Sequence, residues 1–166
     1  KQKLKSNYKL DFAKEMLAME KEATLLKGDA QYQRYYDLAI RYAQASYSGD
    51  CWYLTRYSKS WTDSVEVNEA NFGQIAQQLL QKASKTKNKE LKEKALFGCC
   101  YYYLSPNPWF TMEWNSESTS YDFIIHPETV QYKALVELEK FEKENGNQPS
   151  QFVSNCDVYK TFLARR

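Results

Sequence analysis

The residues of this chain best suited to chemistry gather in one stretch, where Glu113, Glu117 and Asp122 stand among Trp109, Phe110, Trp114 and Tyr121. Two carboxylates flanking a scissile bond, beside rings that stack on a sugar, are what glycoside hydrolysis needs, at a separation of about 5–10 Å. Spacing along the chain leaves that separation open, and acidic side chains on a solvated connection are the commoner arrangement. Other schemes run short of parts. His126 is the only imidazole, so a Ser-His-Asp or Cys-His relay, and most zinc or His-carboxylate iron sites, would have to route through it. It stands before Pro127, Glu128 and a periodic apolar run, which is the setting of a helix entry with Pro in the first turn. Ser6 and Lys9 share SxxK spacing without an SDN or KTG partner, and a helix-opening Ser explains them better. Gly28, Gly49, Gly73, Gly98 and Gly146 are too dispersed for a phosphate-cradling loop. Cys51, Cys99, Cys100 and Cys156 contain no CxxC pair, which removes metal-knuckle and thioredoxin-like readings. Cys99 and Cys100 lie in an apolar helical run and read as buried free thiols, while the pairing of Cys51 and Cys156 stays open. No metal, cofactor or catalytic residue is expected, and the chain reads as a non-enzyme.

Composition sets the scale for the elements that must position these residues. The chain has 166 residues, 23 Lys+Arg against 21 Asp+Glu, and a net charge of +2, which supplies no general attraction for nucleic acid or acidic membrane. Hydrophobic residues make up 43%, enough for a core, and no apolar run approaches the roughly 18 residues of a membrane span. The unusual feature is the aromatic load of 14 Tyr, 8 Phe and 4 Trp. Lys1 opens the sequence without an initiator Met, so a segment of a longer protein is expected.

Periodicity organises the chain into helical hairpins. Phe12, Met16, Met19, Ala23 and Leu26 share one helical face, Lys27-Gly28-Asp29 interrupts it, and Tyr32, Tyr35, Tyr36, Ala39, Tyr42 and Ala43 form the next face over about 30–47. A pair joined by so short a turn lies antiparallel. A second pair places Phe72, Ile75, Ala76, Leu79, Leu80 and Ala83 before the Lys87-Asn88 turn, and Leu91, Ala95, Leu96, Cys99 and Tyr102 to Tyr103 after it. A third runs Val130, Ala134, Leu138 and Phe141, then Asn145-Gly146-Asn147, then Phe152, Cys156, Tyr159 and Phe162 to Leu163. Gly28, Lys87 and Gly146 stand 59 residues apart each time, the interval of an internal repeat. The connections repeat too: residues 47–57 lie without gaps over 104–114, matching Ser48 to Ser105, Trp52 to Trp109, Tyr53 to Phe110 and Tyr57 to Trp114.

The stretch Leu25-Leu26-Lys27-Gly28-Asp29-Ala30-Gln31-Tyr32, continuing through Tyr35-Tyr36-Asp37-Leu38-Ala39, resembles the turn and second helix of a tetratricopeptide repeat. The resemblance covers the three hairpins and departs from the family in the connections of about 20 residues between them. It implies an all-α fold: three antiparallel hairpins stacked as a short solenoid with long inter-hairpin loops, one domain over 1–166 with repeats at about 8–68, 69–127 and 128–166. Gly49-Asp50-Cys51-Trp52-Tyr53-Leu54-Thr55-Arg56-Tyr57 is also similar to uncharacterised repeat-bearing surface or periplasmic proteins of Bacteroides-type bacteria, which implies an extracytoplasmic location.

All four tryptophans fall in the two connections. The candidate binding residues are therefore Trp52, Tyr53, Arg56, Tyr57, Trp61, Trp109, Phe110 and Trp114, since Trp and Tyr offer large rigid faces with one polar tip. The same rings could simply fill the joints between hairpins, and their recurrence in both connections favours packing. The expected function is a non-catalytic module of a larger protein that receives a protein or peptide. Glycan binding through the same rings is the alternative, and a carboxylate glycoside hydrolase comes third.

Overall fold

A computed structural model describes residues 7–56, 71–100 and 108–165. The described residues are mostly helical, with one small two-stranded sheet. They form two compact units, Lys1–Lys92 and Glu93–Arg166, whose boundary falls inside one helix.

In the first unit, α1 (Tyr8–Leu25) and α2 (Asp29–Ala45) make the first hairpin. Asn7 caps α1 by accepting from the Leu10 amide at 3.2 Å, one of the donors a helix start leaves unpaired, whereas Ser6, expected to open this helix, lies outside the described residues. Gly28 ends the turn with φ +61° and ψ −143°, a conformation open to glycine and costly for other residues, and its carbonyl accepts from the Gln31 and Tyr32 amides. The Gln31 side chain reaches back to the Ala23 carbonyl at 2.8 Å, and ion pairs Arg34–Glu22 and Arg41–Glu15 run up the antiparallel pair. Met16, Ala23 and Leu38 are the buried centre, with Phe12, Met19, Tyr35, Tyr42 and Leu79 around them. The predicted α1 face is therefore the face that packs. After α2 the chain folds tightly over the helix end: a Cβ on Gly49 would stand 2.1 Å from the Gln44 carbonyl oxygen, so only glycine fits. A short 3-10 turn, Trp52–Leu54, follows.

Helix α3 (Phe72–Ala83) packs along α2 through Gly73, Ala76, Leu80 and Ala83, with the Tyr42 and Phe72 rings edge to face at 5.2 Å. The turn into α4 (Lys89–Cys99) contains Thr86, which is buried and donates its hydroxyl to the Asp29 carboxylate at 2.7 Å while accepting from the Asn88 amide. That bond ties the second hairpin turn to the first.

In the second unit the connection expected as a loop is a β-hairpin, β1 (Phe110–Asn115) and β2 (Ser120–Ile125), with Phe110 opposite Ile125 and Trp114 opposite Tyr121. The strict alternation of Phe110, Met112 and Trp114 with Thr111, Glu113 and Asn115 is a strand pattern that the aromatic count masks. Asn115 turns the chain, its side-chain oxygen accepting from the Glu117 and Ser118 amides. An isolated two-stranded hairpin is marginal in water. Here it is anchored at its base by Trp109, which is 1% exposed among the rings of Phe110, Phe123, Tyr132 and Phe162.

His126 closes the hairpin, its amide donating to the Trp109 carbonyl at 2.8 Å, and leads into α5 (Val130–Glu144). The helix-entry reading holds with one change: Thr129 is the cap, accepting from the Tyr132 amide, and Pro127 lies in the turn ahead of it. Ala134, Leu138 and Phe141 are buried on α5 as the periodicity requires. The Asn145-Gly146-Asn147 turn ends it, with Gly146 at φ +88° and Asn147 at +54°. The helix predicted after it is broken into α6 (Gln151–Ser154) and α7 (Asp157–Arg165). Asn155 is a poor helix former, and Asp157 is favoured where the partial positive charge of a new helix start receives it.

A candidate interaction surface on the β-hairpin

Side chains alternate across a strand, so the register places Phe110, Met112 and Trp114 on one face together with Tyr121, Phe123 and Ile125. The base of that face belongs to the core: Phe110 and Phe123 stack at 4.3 Å, next to Trp109. Its outer half does not. Met112, Trp114 and Tyr121 are 58%, 57% and 60% exposed, and the Trp114 and Tyr121 rings meet edge to face at 5.2 Å. An apolar face thus runs unbroken from the core into solvent. The opposite face carries Thr111, Glu113, Asn115, Ser120 and Asp122, with the half-buried Ile124 opposite Thr111 at its base. Glu113 and Asp122 are direct cross-strand neighbours, and Asp122 also accepts from the Asn115 amide group at 2.8 Å. Like charges placed opposite one another destabilise a ladder by a few tenths of a kcal/mol, up to about 1.

Trp109 sets the position of this surface through a single side chain. Gln131, on the first turn of α5 and fully buried, accepts from the Trp109 amide at 2.9 Å and donates to the Cys100 carbonyl at 2.7 Å. One amide group therefore satisfies two buried backbone groups and holds the start of β1 against α5.

The predicted binding residues separate accordingly. Trp109 is a core residue, Phe110 is half-buried at the hairpin base, and Trp114 is on the exposed face. In the first unit, Trp52 is half-buried, Tyr53 is exposed, and the half-buried Arg56 lays its guanidinium over the Tyr47 ring at 4.9 Å. Tyr57 and Trp61 lie outside the described residues. Trp52 opens a 3-10 turn where Trp109 leads a strand, so the aligned connections do not share a local structure. Met112 and Tyr121 complete the exposed face and are absent from the predicted set; the period-two alternation is the available signal for Met112, and the cross-strand pairing with Trp114 brings Tyr121 to the same face. The three carboxylates singled out in the sequence stand in the open, with Glu113 and Asp122 on the exposed strand face and Glu117 in the turn, whereas a general-acid carboxyl is kept protonated by a dry pocket.

A different acidic group is buried in the second unit. Burial, then the charge and hydrogen bond of Glu93, push the Glu142 carboxyl up to about 7. Glu93 in turn accepts from the Ser150 amide at 2.8 Å, and one Glu142 oxygen has no hydrogen-bond partner. Burial, with Glu142 and Cys100 nearby, raises Tyr159 to about 12. Among the described residues no group of three His, Cys, Asp or Glu side chains is arranged to hold a metal ion, and no helix is long and apolar enough to cross a membrane. Comparisons with protein families, with curated proteins and with solved structures find no match to this chain.

Proposed function

We propose that the chain is a non-catalytic interaction module, built on tetratricopeptide-like helical hairpins, that receives a protein or peptide partner on the aromatic face of its β-hairpin. The observation that carries this reading is the exposed trio Met112, Trp114 and Tyr121 on one face, continuous with a packed core. Interfaces are enriched in these three residue types, and anchors on a strand already tied to the core at its base lose less freedom on binding. Support for the repeat architecture comes from the first unit, where α2 packs against both α1 and α3 and the Thr86–Asp29 bond joins successive hairpin turns.

A glycan would use the same rings, but their edge-to-face pairing at 70° breaks up the flat platform that sugar stacking favours. Selection from a displayed peptide library on the wild-type chain and on Trp114→Ala tests the reading. Peptides enriched on the wild type and lost on the variant are expected. Equal enrichment on both, with native far-UV and near-UV circular dichroism, removes the hairpin face from the account, and a shift in Trp fluorescence with oligosaccharides alone would move the assignment to glycans.

A further inference from the structure

The free edge of the hairpin specifies what kind of peptide the aromatic face takes, an inference that rests on the interaction reading above. In an antiparallel ladder, pairs that exchange backbone hydrogen bonds alternate with pairs that do not. The His126 amide donates to the Trp109 carbonyl, so 109/126 is a bonded pair and the next, Phe110/Ile125, is not. Counting along the register, Met112/Phe123 and Trp114/Tyr121 are also unbonded pairs. The amide and carbonyl groups of Met112 and Trp114 therefore point away from β2, toward the outer edge of β1. Among the described residues no other strand or backbone group meets them. The β2 edge is less open, because Phe123 is half-buried with the Arg165 guanidinium over its ring at 5.2 Å.

We propose that the β1 edge binds an extended peptide as a third, antiparallel strand, and that the peptide carries apolar residues opposite Met112 and Trp114 with a Lys or Arg between them opposite Glu113. The backbone requires this register. Met112 and Trp114, like Phe110 at the base of the strand, offer an outward donor and acceptor each, and a residue that exchanges both bonds with Met112 or Trp114 must place its side chain on the same face, over the exposed apolar trio. The residue between them falls on the other face, beside Glu113, which forms no ion pair among the described residues, and one strand away from Asp122, whose side-chain partner is the neutral Asn115. A cation there relieves the like-charge pair, whereas an anion adds to it. Apolar–basic–apolar is thus the minimal motif, and the new strand would turn a marginal two-stranded ribbon into a three-stranded sheet.

The test uses blocked nine-residue peptides of alternating Val and Lys, the same peptide with Glu for Lys, and the Lys peptide N-methylated at the valines, each titrated by tryptophan fluorescence against the full chain. The Lys peptide is expected to bind roughly tenfold more tightly than the Glu peptide. Glu113→Gln should weaken the Lys peptide by about two- to fivefold, the range of an exposed ion pair. N-methylation removes the donors that face Met112 and Trp114 and should abolish binding, as should Met112→Pro, which deletes one outward amide hydrogen and spares the β1–β2 ladder. Equal binding of the Lys and Glu peptides overturns the basic residue of the motif, and full binding of the N-methylated peptide overturns strand addition while leaving a side-chain contact with the face intact. Unchanged binding of the Lys peptide to Trp114→Ala overturns the interaction reading itself. The N-methyl arm uses the wild-type protein, so the outcome stands even if Met112→Pro disturbs the fold.

Discussion

Replacing Gln131 by Met should destabilise the fold by about 2–6 kcal/mol, because it orphans two buried backbone groups at about 1–3 kcal/mol each. Gln131 is fully buried, and both its partners, the Trp109 amide and the Cys100 carbonyl, belong to residues that are 1–2% exposed, so water cannot readily replace it. Met has nearly the same length and volume and leaves no large cavity, which isolates the hydrogen bonds from the packing. Against a typical total of about 5–15 kcal/mol the loss is a large fraction. Urea unfolding followed by tryptophan emission should show the midpoint falling by about 1–3 M at a slope near 2 kcal/mol per M. Gln131→Glu keeps the acceptor for Trp109 but loses the donor to Cys100 and buries a charge, so it should be no better than Met. Hydrogen exchange across 110–125 should speed up in both variants, since the bond to Trp109 anchors β1. A Gln131→Met protein within about 0.5 kcal/mol of wild type would refute the reasoning, because it would mean the two backbone groups find other partners.

The Glu93–Glu142 pair should make stability pH-dependent: with Glu142 raised to about 7, the folded state binds its proton more tightly than the unfolded one, so stability falls as pH rises from about 4.5 to 7. Glu142→Gln should flatten that slope and be the more stable protein at pH 8 by about 1–2 kcal/mol after solvent screening, as urea titrations at pH 5 and 8 would show. Burial pushes the Cys99 thiol up to about 12 and the Cys100 thiol well up, so iodoacetamide at pH 7.5 should label only the half-buried Cys51 and Cys156 before unfolding, as peptide mass mapping would reveal. Thr86→Val removes the bond to Asp29 and the acceptor for the Asn88 amide, and should cost about 1–3 kcal/mol in urea unfolding.

The helices were legible because their signals are local. Apolar periodicity marks the helical stretches, and the three turns fall at Gly28, Lys87 and Gly146 as the interval requires; the caps Asn7, Asn71 and Thr129 are equally local, through bonds to residues three positions on, but the periodicity does not single them out. The β-hairpin is hidden because the likeness of residues 104–114 to 47–57 rests on matching aromatics, and the alternation between those aromatics is the weaker signal. Local chemistry also explains the broken final helix, where Asn155 and Asp157 together form a stop and a start.

The sequence by itself determined which stretches are helical, where the three turns fall between them and which helical faces are apolar, since each rests on residues within a turn or two of one another. It could not distinguish one aromatic from the next. Trp52, Trp109 and Trp114 read as equivalent members of repeated connections, yet one opens a 3-10 turn, one is the centre of a core and one stands in solvent. Only the tertiary structure decided this, because burial depends on what arrives from far along the chain. Phe162 and Tyr132 close over Trp109, the Gln131 amide group holds its backbone, and the strand register then carries Trp114 beyond their reach and into solvent.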